Sequence, residues 1–214
     1  MKPLVKICGI TNLTDAAAAV KEGAHYLGLN FFPDSPRGLT PDAAANLALE
    51  IKTKFPHVKL VGVFVDEAVE KIRLLAEICE LDILQFHGSE SLKFCAQFEL
   101  PVWRAFRVKN ENSFNDLQQF LGLDGIVLDA FKRGRFGGTG QTFDWKLIHR
   151  VRDQIPFFIL AGGINSKNAA KAVKQLKPDV VDVCSGVETE NDPRRKDPEK
   201  LAELFEAIKC DTNS

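Results

Sequence analysis

Short apolar, β-branched or aromatic runs alternate with helically spaced runs from one end of this chain to the other. Strand-like stretches begin near Leu4, Tyr26, Val58, Asp82, Val102, Gly125, Phe157 and Asp179, each short enough to be a buried strand. Between them, 13–22 is rich in alanine with Asn12 or Thr14 as its cap, and 41–54 opens with Thr40 as cap and Pro41 at the first helical position. The segment 67–79 carries Val69, Ile72, Leu75, Ala76 and Cys79 at the spacing of one helix face. Further helices are expected over 89–98, 112–120, 144–154, 165–175 and 198–209. Strict alternation implies parallel strands joined by right-handed crossovers. An open doubly wound sheet and a closed barrel both satisfy it. Eight units within 214 residues favour the barrel, because an eightfold barrel takes about 250 residues and rarely fewer than about 200. No linker or low-complexity stretch interrupts the pattern, so the expected fold is α/β, a single (β/α)8 TIM barrel of parallel strands spanning 1–214 as one domain.

Composition narrows the function classes. The 28 basic and 29 acidic residues nearly cancel, which gives no electrostatic reason to expect nucleic acid or an anionic membrane as partner. No apolar run approaches the roughly 20 residues that span a bilayer, and residues 1–9 read as a folded strand rather than a signal or transit segment. The five cysteines, Cys8, Cys79, Cys95, Cys184 and Cys210, are odd in number and include no CxxC pair. That pattern fits reduced thiols in a cytoplasmic protein, not a disulfide framework or a zinc site.

In a parallel barrel, alternate residues of each strand face inward, and the C-terminal ends of the strands open on the site. With Val5 and Ile7 packed outward, Leu4, Lys6 and Cys8 point in. With Leu84 and Phe86 outward, Gln85 and His87 point in; Ile126 and Leu128 likewise leave Val127 and Asp129 inside, and Val181 and Val183 leave Asp182 and Cys184. Cys8, His87 and Asp129 are thus three ionisable groups at the ends of separate strands, which is the signature of a site. Lys6 and Asp182 lie on the first and eighth strands, neighbours if the barrel closes, and should form an ion pair. His25, His57 and His149 fall in turns or on helices as surface residues, and Arg194-Arg195-Lys196 reads as a solvated loop before the last helix.

Glycine clusters follow the last three strands: Gly137-Gly138-Thr139-Gly140, Ala161-Gly162-Gly163-Ile164 and Ser185-Gly186-Val187. Glycine lets backbone N–H groups approach an anion, helix N-termini add a positive dipole end, and the loops after strands seven and eight are where such barrels bind phosphate. Thr139 and Ser185 add hydroxyl donors. A phosphorylated small substrate is therefore expected.

These residues also carry a resemblance. Lys6-Ile7-Cys8-Gly9-Ile10, Phe32-Pro33-Asp34-Ser35-Pro36-Arg37, Gln85-Phe86-His87-Gly88, Gly137-Gly138-Thr139-Gly140 with Phe143-Asp144-Trp145, Ala161-Gly162-Gly163 and Ser185-Gly186-Val187-Glu188 occur in that order. Over roughly residues 4 to 190 the chain resembles the phosphoribosylanthranilate isomerase family of ribulose-phosphate-binding barrels. Departures are few: Cys184 where the family often has Ser, Ile164 where it often has Leu, and an unusually basic stretch at 131–136.

The resemblance implies an Amadori rearrangement in tryptophan biosynthesis, aminoaldose to aminoketose, with no cofactor and no metal. It implies Cys8 as general base and Asp129 as general acid. It places Arg37 on the anthranilate carboxylate, which a planar guanidinium matches bidentately. Gly138, Gly140, Gly162, Gly163, Ser185 and Gly186 then bind substrate, and His87 contacts substrate or positions the acid; a satisfied structural histidine is the alternative. The acid needs a carboxyl pKa raised from about 3.9, and the base needs a thiol lowered from about 8.5. Lys6, some 6–7 Å from Cys8 along the strand, should lower it only modestly. Cys79, Cys95, Cys184 and Cys210 are expected to be inert filler. A histidine-pathway isomerase would need aspartates ending strands one and five, where this chain has Cys8 and the carboxylate-free 102–107. An indoleglycerol-phosphate synthase would need a lysine–glutamate array, and an anion sensor would need only the glycines. The partner is a small phosphorylated molecule, and the protein is a monomer or homodimer.

Overall fold

The computed structural model describes residues 2–129 and 145–210. Gly137, Gly138, Thr139, Gly140 and the basic stretch 131–136 lie outside the described residues, as does the side chain of Cys210. Eight parallel strands close in sequence order: β1 (Leu4–Cys8), β2 (Tyr26–Asn30), β3 (Lys59–Phe64), β4 (Ile83–Phe86), β5 (Val102–Arg107), β6 (Gly125–Asp129), β7 (Phe158–Ala161) and β8 (Val180–Val183). β8 returns to β1 with Leu4 opposite Val180 and Lys6 opposite Asp182. The expected TIM barrel is the fold observed.

Strand alternation sorts the side chains into two layers. Val5, Ile7, Leu84, Phe86, Ile126, Leu128, Val181 and Val183 face outward into one continuous apolar cluster with the surrounding helices. Tyr26, Val61, Ile83, Trp103, Val127, Ile159 and Val180 fill the interior. Within the barrel, polarity rises along the strand direction. The N-terminal end is plugged by aromatics, with Tyr26 edge-on to Trp103 at 5.2 Å and Trp103 against Phe157 at 6.2 Å. Lys6, Gln85 and Asp182 form a buried polar middle, and Cys8, His87 and Asp129 lie at the C-terminal mouth.

The first two helices match their sequence signals. α1 (Leu13–Glu22) begins where Asn12 accepts from the Asp15 N–H and ends at Gly23 in the left-handed conformation; α2 (Pro41–Lys54) begins at Thr40, which accepts from the Ala43 N–H. The next helices are shorter than periodicity suggests. α3 (Val69–Ile78) starts two residues late, after Asp66 takes a left-handed φ of 49°. α4 (Leu92–Cys95) is confined to one turn because Ser91 caps it, while Ser89 is bound back to Asp66. The expected helix 112–120 splits into a 3-10 turn (Glu111–Phe114) and α5 (Leu117–Phe120), since Asn110 and Ser113 cap each other's backbone. The segment expected as 144–154 holds α6 (Lys146–His149) and a 3-10 turn (Arg152–Gln154). α7 (Ala169–Leu176) and α8 (Pro198–Cys210) complete the ring.

One element differs in kind. After β8, a 3-10 turn (Ser185–Val187) leads into an antiparallel hairpin, β9 (Glu188–Thr189) and β10 (Asp192–Lys196). The run Arg194-Arg195-Lys196 is part of β10, not a solvated loop. Thr11 donates to the Arg194 carbonyl, Arg194 donates to the carbonyls of Pro36 and Gly38, and the Lys196 N–H is held by Asp15 Oδ2 at 2.8 Å. Among the described residues, no helix is long and apolar enough to cross a membrane.

Candidate active site

Cys8 ends β1 on the inner face and is half-buried. Two groups act on its sulfur. The neighbouring Cys184 thiol is the largest influence on its pKa; burial opposes, and the Lys6 ammonium assists, leaving the Cys8 thiol lowered to about 6. Lys6 is wholly buried, donating to Asp182 Oδ2 at 2.9 Å, which is the seam ion pair expected. Burial pulls its pKa down, but the Asp182 carboxylate and the Cys8 sulfur outweigh that and raise it to about 12. Backbone spacing thus understates Lys6, whose charge acts on the Cys8 sulfur.

Cys184 is not apolar filler. Its thiol donates to Glu188 Oε1 at 3.5 Å, and its sulfur accepts from Lys196 Nζ at 3.9 Å. Lys196 is buried to the tip and bonds Glu188 Oε1 at 3.1 Å. Glu188 and Lys196 are the neighbours that sequence reasoning missed. Glu188 sat in a quoted motif without a role, and Lys196 was masked by the two arginines before it. By contrast Cys79 and Cys95 are buried, and burial pushes each thiol up to about 11, in keeping with inert packing.

Arg37 comes from the loop after β2, over Gly9, where a Cβ would stand 2.6 Å from Arg37 Cδ. Its Nε and Nη2 each donate to Glu188 at 2.6 Å. This bidentate bond, the largest influence, holds the guanidinium pKa above its ordinary value. Two of its five N–H donors are committed, and it can still take a second carboxylate.

His87 follows β4. Its Nε2 stands 2.5 Å from Gln85 Nε2, so one proton bridges the two nitrogens. Burial, then the charges of Lys6, Arg107 and Arg104, drives its pKa down to about 3, and the imidazole is neutral at the mouth. His25, His57 and His149 are exposed, as expected. Asp129 ends β6 half-buried, with Arg107 opposite it on β5 and Ala161 opposite it on β7. Arg107 is an exposed cation on the inward-facing set of β5 at this rim, a further residue that the sequence reading passed over.

The glycine turns after β7 and β8 meet. A Cβ on Gly186 would stand 1.9 Å from the Ile164 carbonyl oxygen, so only glycine permits this approach. Gly162 and Gly163 take φ of 87° and 69°. Among the described residues nothing lies within 4 Å of where a Gly163 Cβ would project, and Ser185, next to Gly186 in sequence, is exposed. In ring order β6-β7-β8-β1, these turns lie between Asp129 and Cys8. Gly138 and Gly140 lie outside the described residues. No group of three or more His, Cys, Asp or Glu side chains among the described residues is gathered as metal ligands would be.

A protein-family model described as PRAI, N-(5'-phosphoribosyl)anthranilate (PRA) isomerase, matches residues 5–207. The N-(5'-phosphoribosyl)anthranilate isomerase of Citrifermentans bemidjiense is 42% identical over 205 residues, covering 96% of each chain. The crystal structure of phosphoribosyl anthranilate isomerase from Thermotoga maritima superposes with a TM-score of 0.89 at 37% identity, over 97% of this chain and 99% of that one. A phosphoribosyl anthranilate isomerase in complex with reduced 1-(o-carboxyphenylamino)-1-deoxyribulose 5-phosphate superposes at 0.86 with 35% identity, over 97% and 99%.

Proposed function

This chain belongs to the N-(5'-phosphoribosyl)anthranilate isomerase family, and on that premise we propose that it performs the Amadori rearrangement of phosphoribosylanthranilate by general acid–base catalysis without a cofactor. The observation that carries this reading is the order of groups around one rim. A thiol lowered to about 6 on β1 and a carboxyl on β6 flank the glycine turns of β7 and β8. A phosphate seated on Gly162, Gly163, Ser185 and Gly186 brings its ribose between the two.

Asp129 protonates the ring oxygen as the C1′–O bond breaks, and the anthranilate nitrogen supplies the electron pair that forms the C1′ iminium. The Cys8 thiolate then removes the C2′ proton, the C–H electrons move into a C2′–C1′ double bond, and the iminium is discharged to an enolamine. Tautomerisation to the ketone completes the reaction. The substrate is its own electron sink, which is why acid and base suffice. Arg37 holds the anthranilate carboxylate on the donors that Glu188 leaves open, and neutral His87 offers a hydrogen bond without adding charge next to the acid. The chain works as one barrel domain, as a monomer or homodimer in the cytoplasm.

The test is direct. Purified protein mixed with freshly generated phosphoribosylanthranilate should extinguish its fluorescence catalytically. Stoichiometric quenching without turnover would mark an anion-binding protein and defeat the proposal.

A further inference from the structure

The rearrangement assigns no role to the hairpin β9–β10, yet that hairpin holds Arg37 at both ends. On the backbone side, Arg194 Nη1 of β10 donates to the Pro36 carbonyl at 3.0 Å and to the Gly38 carbonyl at 3.1 Å, the two carbonyls that flank Arg37. Arg194 is itself anchored, because Thr11, from the turn after β1, donates to its carbonyl at 2.5 Å. On the side-chain side, Glu188 of β9 takes the Nε and Nη2 edge of the guanidinium, at 2.6 Å on each oxygen. Glu188 has little freedom of its own. Its carbonyl accepts from Lys200 of α8 at 2.8 Å, and its Oε1 accepts from buried Lys196 at 3.1 Å. The loop that carries Arg37 is tight, since a Cβ on Gly38 would stand 2.8 Å from the Phe32 carbonyl oxygen.

We propose that the hairpin β9–β10 aims Arg37: Arg194 and Glu188 are positioning residues that fix which edge of the guanidinium faces the substrate, and so set the selection for an arylamine that carries a carboxylate. This rests on the reading of Arg37 as the carboxylate grip and names what holds it. A guanidinium has two edges that match a carboxylate, Nε with one Nη and the pair of Nη groups. Glu188 occupies the first, so the edge left for substrate is the second, at the tip of the side chain. An unheld arginine gives up rotamer freedom when it grips a ligand; here the ordering is complete before substrate arrives. The aim is toward the rim that carries the base, because Arg37 Cδ stands 2.6 Å from where a Cβ on Gly9, the residue after Cys8, would be. Lys196 supplies the charge balance. Arg37 and Lys196 both bond Glu188 Oε1, two cations on one carboxylate, so the trio keeps one positive charge for an incoming anion. If Glu188 were instead a rival of the substrate carboxylate for Arg37, removing it would tighten binding.

The experiment is calorimetric titration with two non-reacting ligands: the aminoketose product with its ketone reduced to an alcohol, and the same molecule built on aniline, which lacks the ring carboxylate. Both carry the same sugar chain and phosphate, so the ratio of their affinities reads the carboxylate grip alone. The unaltered protein should prefer the carboxylated ligand by about 10- to 100-fold, the range of charge-assisted hydrogen bonds, and Arg37→Ala should abolish the preference. Arg194→Met, at an exposed position, should lower it severalfold with the circular dichroism spectrum unchanged. Arg194→Lys, which keeps the charge and one donor group, should fall between Arg194→Met and the unaltered protein. Glu188→Gln should also lower it, because the two cations that shared one oxygen then repel and Arg37 swings off its aim. In turnover, KM for the aminoaldose should rise more than kcat falls. A preference unmoved in Arg194→Met, or one that rises in Glu188→Gln, overturns the inference while the Arg37→Ala result upholds the grip; if Glu188→Gln fails to fold, Arg194→Met alone decides. No preference in the unaltered protein, or one that survives Arg37→Ala, refutes Arg37 as the grip and the inference with it. Binding needs no turnover, so a protein that fails to isomerise yet shows the Arg194-dependent preference refutes the rearrangement and upholds the hairpin's role.

Discussion

Cys8 and Asp129 answer to one kind of test. Each sits at a strand end on the rim, and general acid–base groups contribute about 10²–10⁴-fold. Cys8→Ala and Asp129→Asn should each lower kcat by at least about two orders of magnitude while the fold persists; near-normal turnover in either variant removes its role. The pH profile has a definite sign. With the Cys8 thiol lowered to about 6, kcat/KM should fall as pH drops through about 6 and level off above it. His87, driven down to about 3, should add no limb between pH 5 and 8. The same shift carries stability. A depressed acid stabilises the folded chain above its unfolded pKa of about 8.5, and that contribution is lost as pH falls through the folded value. These residues were legible because a strand has a period of two, so fixing one outward apolar position fixes every inward one. The groups around Cys8 were not. Glu188 and Lys196 reach the adjoining Cys184 through a hairpin folded back over the barrel seam, a contact that no local pattern encodes.

At the scale of elements, caps were readable and helix lengths were not. Asn12, Thr40 and Pro41 act within a few residues of themselves, so α1 and α2 appear with the bounds their sequence signals give. α4 and α5 are short because Asn110, Ser113, Ser89 and Ser91 divert backbone groups into turns, where apolar periodicity alone suggested continuation. The hairpin β9–β10 was the larger omission, and Asp15 explains its anchorage. Its Oδ2 accepts from the Lys196 N–H at 2.8 Å and from Asn12 Nδ2 at 2.8 Å, and its Oδ1 pairs with Arg195 at 3.4 Å. Asp15→Ala leaves a buried N–H unmet and should cost about 1–3 kcal/mol. Urea denaturation would register this as a lower midpoint. Because Lys196 hangs from that N–H and its charge helps lower the Cys8 thiol, the pH midpoint of Cys8 alkylation by iodoacetamide, read by mass spectrometry, should rise in the same variant; an unchanged midpoint would separate the hairpin's anchorage from the site.

For the molecule as a whole, the decisive step is closure of β8 on β1, across about 175 residues of chain. Apolar pairs at Leu4–Val180 and Val5–Val181 close its lower half, and Lys6 with Asp182 closes the centre in a fully buried setting. This pair was foreseen, since closure was inferred from counting units and alternation put both side chains inward. A buried ion pair is costly to form and costlier to break. Lys6→Met strands the Asp182 carboxylate inside the barrel and should lose about 3–5 kcal/mol, whereas Lys6→Met combined with Asp182→Leu should recover most of it. The raised Lys6 pKa sets the pH window. The stability it contributes is full below the unfolded value of about 10.4 and is lost as pH rises through about 12. Denaturant titrations at pH 8 should therefore resolve the single from the double variant. Equal stability of the two would show that the apolar half alone closes the barrel, and Lys6 would then be retained for the charge it brings to Cys8.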